Sequence, residues 1–393
     1  MLALGPTVEG LLATADVEMT HSAPAYVQRL TVLFFGLYLL MATQDVAVDG
    51  WALTLLSRRN VGLASTVNVV AQTFGYFLAY TGFLTLSEHG LVTLTGFMRG
   101  WGIIFVCSAL VVAATKEASL PDGSTGSVSA VYAHAARLLH LRSVQRLLLV
   151  LLTCRAAFGA ADALTTFKLI ETGFTKAQVA YITTLIAPLN ILLPLFIAKW
   201  TNGDAPWAAF LHAYPVRLGV NLLMALVLAH APGHGAPRAS FTACVIAVLA
   251  AQAVASQVQF VAQMSFFARV SDPSIGGTAM TLFNTVANLG SKWPSSLALF
   301  LAEPLTRRVC RGGTQAGAEC GTAATRETCL ASGGTCITMS DAFMPLTLAC
   351  TLLGIAWMVA AKRHVLALQQ LPHDAWLPNA QHRSGRGRAR ATR

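Results

Sequence analysis

Apolar residues in this chain come in long runs, not in alternations. The runs recur from Val27 to Arg363, broken by short polar or glycine-rich stretches. A helix of about 20 apolar residues crosses the ~30 Å hydrocarbon core of a bilayer. The pattern predicts nine spans: Val27–Leu56, Val61–Leu86, Gly96–Thr115, Val144–Ile170, Gln178–Lys199, Ala208–His230, Phe241–Ala268, Gly276–Ala302 and Ala342–Arg363. Several are longer than a bilayer needs, so tilted or protruding ends are expected.

Polar positions inside the runs repeat at helical spacing. Asp45 and Asp49 are four residues apart in the first span, with Gln44 beside them. A charged side chain at the centre of an inserted helix costs roughly 2.5–3.5 kcal/mol, so the two aspartates point to a wet cavity or to pairing inside a bundle. Asn68 and Gln72 share a face of the second span, continued by Tyr76. In the fourth span Arg155 and Asp162, seven residues apart, share a face; a cavity or gating role for Arg155 is favoured, with an Arg155–Asp162 ion pair within one helix as the alternative, and Lys168 near the membrane edge is open to snorkelling. The seventh span carries Gln252, Ser256, Gln259 and Gln263, and the eighth Asn284, Asn288 and Lys292. Each span then presents one polar and one apolar face. Neutral amides also glue membrane helices together, at about 0.6 kcal/mol per hydrogen bond. Ala71, Gly75 and Ala79 form a small-residue ridge that permits close helix approach, and Pro188 and Pro194 are candidate kinks in the fifth span.

Composition agrees with this reading. Of 393 residues, 55% are hydrophobic and 11% charged, and the mean hydropathy is +0.59. A soluble domain carries about 25% charged residues. The fold class is therefore all-α, a polytopic membrane helical bundle. The net charge of +10 does not imply nucleic acid, because the basic residues lie in short loops and a tail, where they set orientation. Arg58, Arg59, Arg137, Arg142, Arg146, Lys199, Arg269, Lys362 and Arg363 fall on one side, read as cytosolic. Arg307, Arg308, Arg311 and Arg326 fall on the other, in a longer loop. This puts the C-terminus in the cytosol and the N-terminal acidic stretch (Glu9, Asp16, Glu18) on the opposite face. Residues 1–20 lack the basic start and apolar core of a signal peptide.

Four units follow: a transmembrane segment 1–115, a linker 116–143, a six-span bundle 144–363 with a cysteine-bearing loop at 303–340, and a basic tail 364–393. The linker opens on the turn-rich Pro121-Asp122-Gly123-Ser124 and continues amphipathically from Val131 to Leu141, as a surface or solvated helix. The tail, ending in Arg383, Arg386, Arg388, Arg390 and Arg393, is expected to be disordered. Eight cysteines divide evenly. Cys107, Cys154, Cys244 and Cys350 lie in spans as packing residues. Cys310, Cys320, Cys329 and Cys336 share one loop without a Cys-x-x-Cys pair, so two disulfides are favoured over a zinc site, with three connectivities open. Disulfides place that loop in an oxidising compartment.

Long stretches resemble the eukaryotic acetyl-coenzyme A transporter family. They include the run from Ala42 to Thr54, Asn60-Val61-Gly62, Ala64-Ser65-Thr66, Gln72-Thr73 and Gly75-Tyr76-Phe77-Leu78. Further on they include Ala160-Ala161-Asp162-Ala163, Lys168-Leu169, the run from Val270 to Thr278, Asn284-Thr285-Val286, Asn288-Leu289-Gly290 and Trp293-Pro294-Ser295. The cysteine-bearing loop is also similar. The resemblance implies a branch of the major facilitator superfamily in the endoplasmic reticulum membrane, importing cytosolic acetyl-CoA for lumenal acetylation. Against a twelve-helix facilitator, the three spans before the linker match helices four to six, so the first two to three helices would be missing. Lys292 stands where the family is expected to carry a neutral residue.

Acetyl-CoA needs cationic groups for its phosphates, preferably arginine. Arg155, Lys168, Arg217 and Lys292 are the candidates, with Trp51, Tyr76 or Trp293 available to stack on adenine. Its partners would be acetyl-CoA and the lipid bilayer, with a homodimer open and no cofactor or metal called for. Rival readings are a proton-coupled permease for sugar–peptide fragments, with Asp45, Asp49 and Asp162 as proton carriers, and a truncated membrane protein that does not transport. No His-Glu-x-x-His, Walker-type loop or Gly-x-Ser-x-Gly occurs, and the histidines lie in loops or near span ends, which argues against an enzyme.

Overall fold

A computed structural model of the chain describes residues 5–8, 10, 23–55, 61–115, 133, 136–201, 205–231, 238–271 and 276–377. The turn-rich start of the linker, Arg58 and Arg59, and the basic end of the tail lie outside the described residues, as does the side chain of Asp49.

Every expected span has a helical counterpart. They are α1 (Ala23–Leu55), α2 (Val61–Glu88), α3 (Leu94–Ala114), α4 (Arg142–Thr153) with α5 (Gly159–Glu171), α6 (Lys176–Thr201), α7 (Pro206–Ala229), α8 (Ala239–Val270), α9 (Gly276–Leu305) and α11 (Phe343–Gln369). Among the described residues, seven stretches are long and apolar enough to cross a membrane; α2 and α9 are not among them. The chain is a multi-pass, all-α membrane protein. Its outer surface carries large exposed apolar side chains such as Phe35, Leu110, Phe196 and Val359, which suits contact with lipid tails.

The fourth span differs from expectation. It is two helices, not one, joined through Cys154, Arg155 and a 3-10 turn at Ala156–Phe158. No proline or glycine lies between Thr153 and Phe158 to cause the break. The cause is tertiary. Gly290 of α9 presses on the end of α4, where a Cβ would lie 2.1 Å from the Leu151 carbonyl oxygen. At Gly159 a Cβ would meet Pro294 at 2.7 Å. A carbonyl freed by the break finds a donor, as a membrane interior requires. The Trp293 indole Nε1 donates to the Leu152 carbonyl at 2.9 Å, while Cys154 N–H still closes the last regular turn of α4 on the Val150 carbonyl at 2.8 Å. Close helix approach is therefore made by Gly159 and Gly290. The expected ridge at Gly75 does not make one: nothing described lies within 4 Å of where its Cβ would be.

The core lies among α4, α7, α8, α9 and α11, built on Leu147, Phe158, Trp207, Tyr214, Phe266 and Phe283. Burying such side chains contributes roughly 1.5–3 kcal/mol each. Tyr214 stacks on Trp357 and tilts against Phe158. Of the span cysteines only Cys154 is buried; Cys107 and Cys244 are exposed, against the expectation of packing residues. The helices α1 and α2 dock on this bundle more than on each other, α1 on α9 and α2 on α6 and α8. Pro188 and Pro194 both lie inside α6.

Beyond α9 the cysteine-bearing loop folds as a small unit. Strands β1 (Arg307–Arg311) and β2 (Thr335–Ser340) pair antiparallel around a short helix α10 (Ala323–Ala331). Two disulfides form, Cys310–Cys329 and Cys320–Cys336, as the sequence led us to expect. After α11 the chain turns back at His373–Trp376. Trp376 is buried against Phe266, Ser143 donates to the Ala375 carbonyl at 2.6 Å, and the Gln369 side chain accepts from Trp207 N–H at the start of α7 at 3.1 Å.

Candidate functional site

The break in the fourth span is also where charge gathers. Arg155 sits in it, and Asp162 lies in the first turn of α5, where a helix N-terminus favours a negative side chain. The partner of Asp162 is not Arg155. It is Arg217 of α7, whose Nη2 lies 2.9 and 3.0 Å from the two carboxylate oxygens. The reading of an Arg155–Asp162 pair within one helix is corrected accordingly, because the 3-10 turn takes Arg155 out of the α-helical register.

Arg217 is held from three sides. Its Nη1 donates to Gln259 at 2.8 Å, its guanidinium carbon lies 4.1 Å over the Phe158 ring, and Asp162 takes the remaining edge. A cation over an aromatic face gains about 2 kcal/mol or more when desolvated. Arg155 donates through Nη2 to Gln263 at 3.0 Å. Gln252 reaches Asp162 at 3.5 Å, the weakest contact of the group. The polar stripe of α8 thus faces the two arginines, with Gln252, Gln259 and Gln263 each meeting one member of the cluster.

Of these residues Arg155, Asp162, Arg217 and Gln252 line a cavity of about 410 Å³ between α5, α6, α7, α8 and α9. Arg155, Asp162 and Arg217 are its charged walls; Thr165, Thr166, Thr183, Gln252, Ser256 and Ser291 add neutral polar ones. The Nε atoms of Arg155 and Arg217 and the Nε2 of Gln259 are buried without an acceptor. Two guanidinium groups against one carboxylate leave the described lining with an excess of positive charge. In a dry, low-dielectric interior that excess attracts an anion far more strongly than it would in water. The site also matches a general arrangement of membrane carriers, in which a discontinuous helix presents its half-helix N-terminus to an anionic group.

The other candidate residues are not brought together here. Asp45, Trp51, Asn68, Gln72 and Tyr76 stand on α1 and α2, and none lines the cavity. Gln72 donates to Asn68 at 3.2 Å, and Tyr76 stacks on Tyr80. On α9, Asn284, Asn288 and Lys292 are likewise outside the lining, whereas the intervening Ser291 is part of it. Trp293 is engaged at the helix break. Lys168 does not simply snorkel: it pairs with Glu171 and with Asp341 at 2.6 Å, while Arg308 of the disulfide-bonded loop reaches Glu171 at 3.3 Å. This ionic cluster joins the end of α5 to the loop and to the start of α11.

Comparison with known proteins bears on what such a cavity carries. The family described as "Acetyl-coenzyme A transporter 1" matches residues 6–125, 112–209 and 203–377. An uncharacterized protein of Schizosaccharomyces pombe is 28% identical over 392 residues, spanning 96% of this chain and 74% of its own length. An uncharacterized membrane protein of Saccharomyces cerevisiae is 28% identical over 428 residues, spanning 89% of this chain and 76% of its own. No solved structure matches the chain significantly.

Proposed function

The chain belongs to the acetyl-coenzyme A transporter 1 family, and from that premise we propose that it carries acetyl-CoA from the cytosol into the lumen of the endoplasmic reticulum. The observation that supports this reading is the pair of arginines, Arg155 and Arg217, on one polar cavity inside the membrane bundle. Arginine is the side chain suited to phosphate oxygens. The cavity accommodates a phosphate-bearing portion of the coenzyme, and the remainder extends beyond it. Alternating access of a facilitator-type carrier, with the cytosolic C-terminus set by the basic loops, completes the proposal.

Uptake of labelled acetyl-CoA into proteoliposomes tests it. Saturable uptake, inhibited by CoA and lowered at least tenfold by Arg155→Ala or Arg217→Ala, is expected. An absence of saturable uptake with correctly inserted protein would overturn the reading. The Asp162 carboxylate on the cavity wall favours one alternative, a proton-coupled permease for sugar–peptide fragments. Collapse of uptake by an uncoupler, without inhibition by CoA, would select it.

A further inference from the structure

Arg217 and Asp162 are unequal partners. The arginine side chain is 7% exposed and fixed by Phe158 and Gln259, whereas the aspartate side chain is 30% exposed and borders the cavity. A phosphate entering the cavity meets a cation whose outward edge already carries a carboxylate. A single Nη2 serves both oxygens of that carboxylate, so a second anion competes for the same donor. We propose, building on the acetyl-CoA reading above, that Asp162 is an internal substitute for the substrate's phosphate. It neutralises Arg217 when the cavity is empty and yields to phosphate when substrate binds.

Three observations support the exchange. The described lining holds two cations and one anion, so it has room for a further negative charge. Arg155 and Arg217 both keep a buried Nε without an acceptor, so neither guanidinium has all its donors satisfied with Asp162 in place. A displaced Asp162 has a nearby hydrogen-bond donor, the Gln252 side-chain NH2 on α8, which already reaches its Oδ1 at 3.5 Å. Lys168, further along α5, is already engaged with Glu171 and Asp341. On this account Asp162 also expels the substrate, since its return to Arg217 competes with phosphate at the release stage.

The exchange predicts opposite changes in binding and transport. Asp162→Asn keeps the shape but removes the competing charge, so affinity for CoA rises roughly tenfold or more, in line with the coupling of close charge pairs, while turnover falls. Arg217→Gln abolishes binding. The test is calorimetric titration of the full chain in detergent with CoA and, separately, with inorganic pyrophosphate. Tighter binding of both probes by Asp162→Asn supports the proposal. Equal or weaker binding of both overturns it and leaves the acetyl-CoA reading in place. Tighter pyrophosphate binding with no CoA binding by either protein supports the exchange and sinks the acetyl-CoA reading. Binding of neither probe by either protein overturns both. Should the Asp162→Asn protein aggregate when prepared alone, it is prepared in millimolar pyrophosphate. Recovery of folded protein then supports an anion seat, and failure to recover overturns it.

Discussion

Gly290 shows how one residue controls the site from outside it. Its Cα lies against the Leu151 carbonyl, and a methyl group there has no space. Gly290→Ala is expected to destabilise the protein by about 1–3 kcal/mol through overpacking, read as a lower melting temperature in detergent. Gly75→Ala, in open space, should leave the melting temperature unchanged. Trp293→Phe removes the donor to the Leu152 carbonyl and is expected to cost about 1–3 kcal/mol, since a carbonyl on the lipid-facing side of the bundle has no water to replace that donor. Residues of this kind were only partly legible in the sequence. Arg155 and Asp162 stand out because charge is rare in a span. Their true partners, Gln263 and Arg217, lie on other helices, and one helix's periodicity carries no information about what faces it. The role of Trp293 depends on a helix break elsewhere in the chain, so it read as an aromatic stacking candidate.

At the level of elements, long apolar runs located the helices well, because burial in lipid leaves a continuous backbone-bonded helix as the low-energy form. The same uniformity hid the break between α4 and α5, which arises from packing by α9 and leaves no proline or glycine as a marker before Gly159. The β1–β2 pair was equally hidden, since Arg307–Arg311 has too short a pattern to read as a strand. The pairing Cys310–Cys329 and Cys320–Cys336 could not be chosen by spacing alone. Peptide mapping without reduction should recover these two linkages and neither of the other connectivities. Replacing Cys320 and Cys336 together by serine is expected to cost the loop about 3 kcal/mol, the chain-entropy value for a loop near this length. Proteolysis within 307–340 should then outpace that of the parent protein.

For the whole molecule, the class of multi-pass helical membrane protein was plain from composition, whereas the docking of α1 on α9 and of α2 on α6 and α8 was not. Apolar faces in lipid lack a pattern that names their partner. The proposed orientation is open to direct measurement. A protease epitope after Arg393 should be cleaved in sealed microsomes without detergent, and one inserted at Gly321 should be protected; the reverse result would invert the topology. The return of the chain at Trp376 has a mechanical consequence. Ser143 at the start of α4 holds Ala375, and Trp376 sits under Phe266, so the stretch from Arg142 to Trp376 is fastened like a belt at its buckle. A pulling force applied to the end of the chain loads that buckle before it reaches α11. Single-molecule extraction from a bilayer should therefore begin with a small, separate rupture, and Trp376→Ala should erase it.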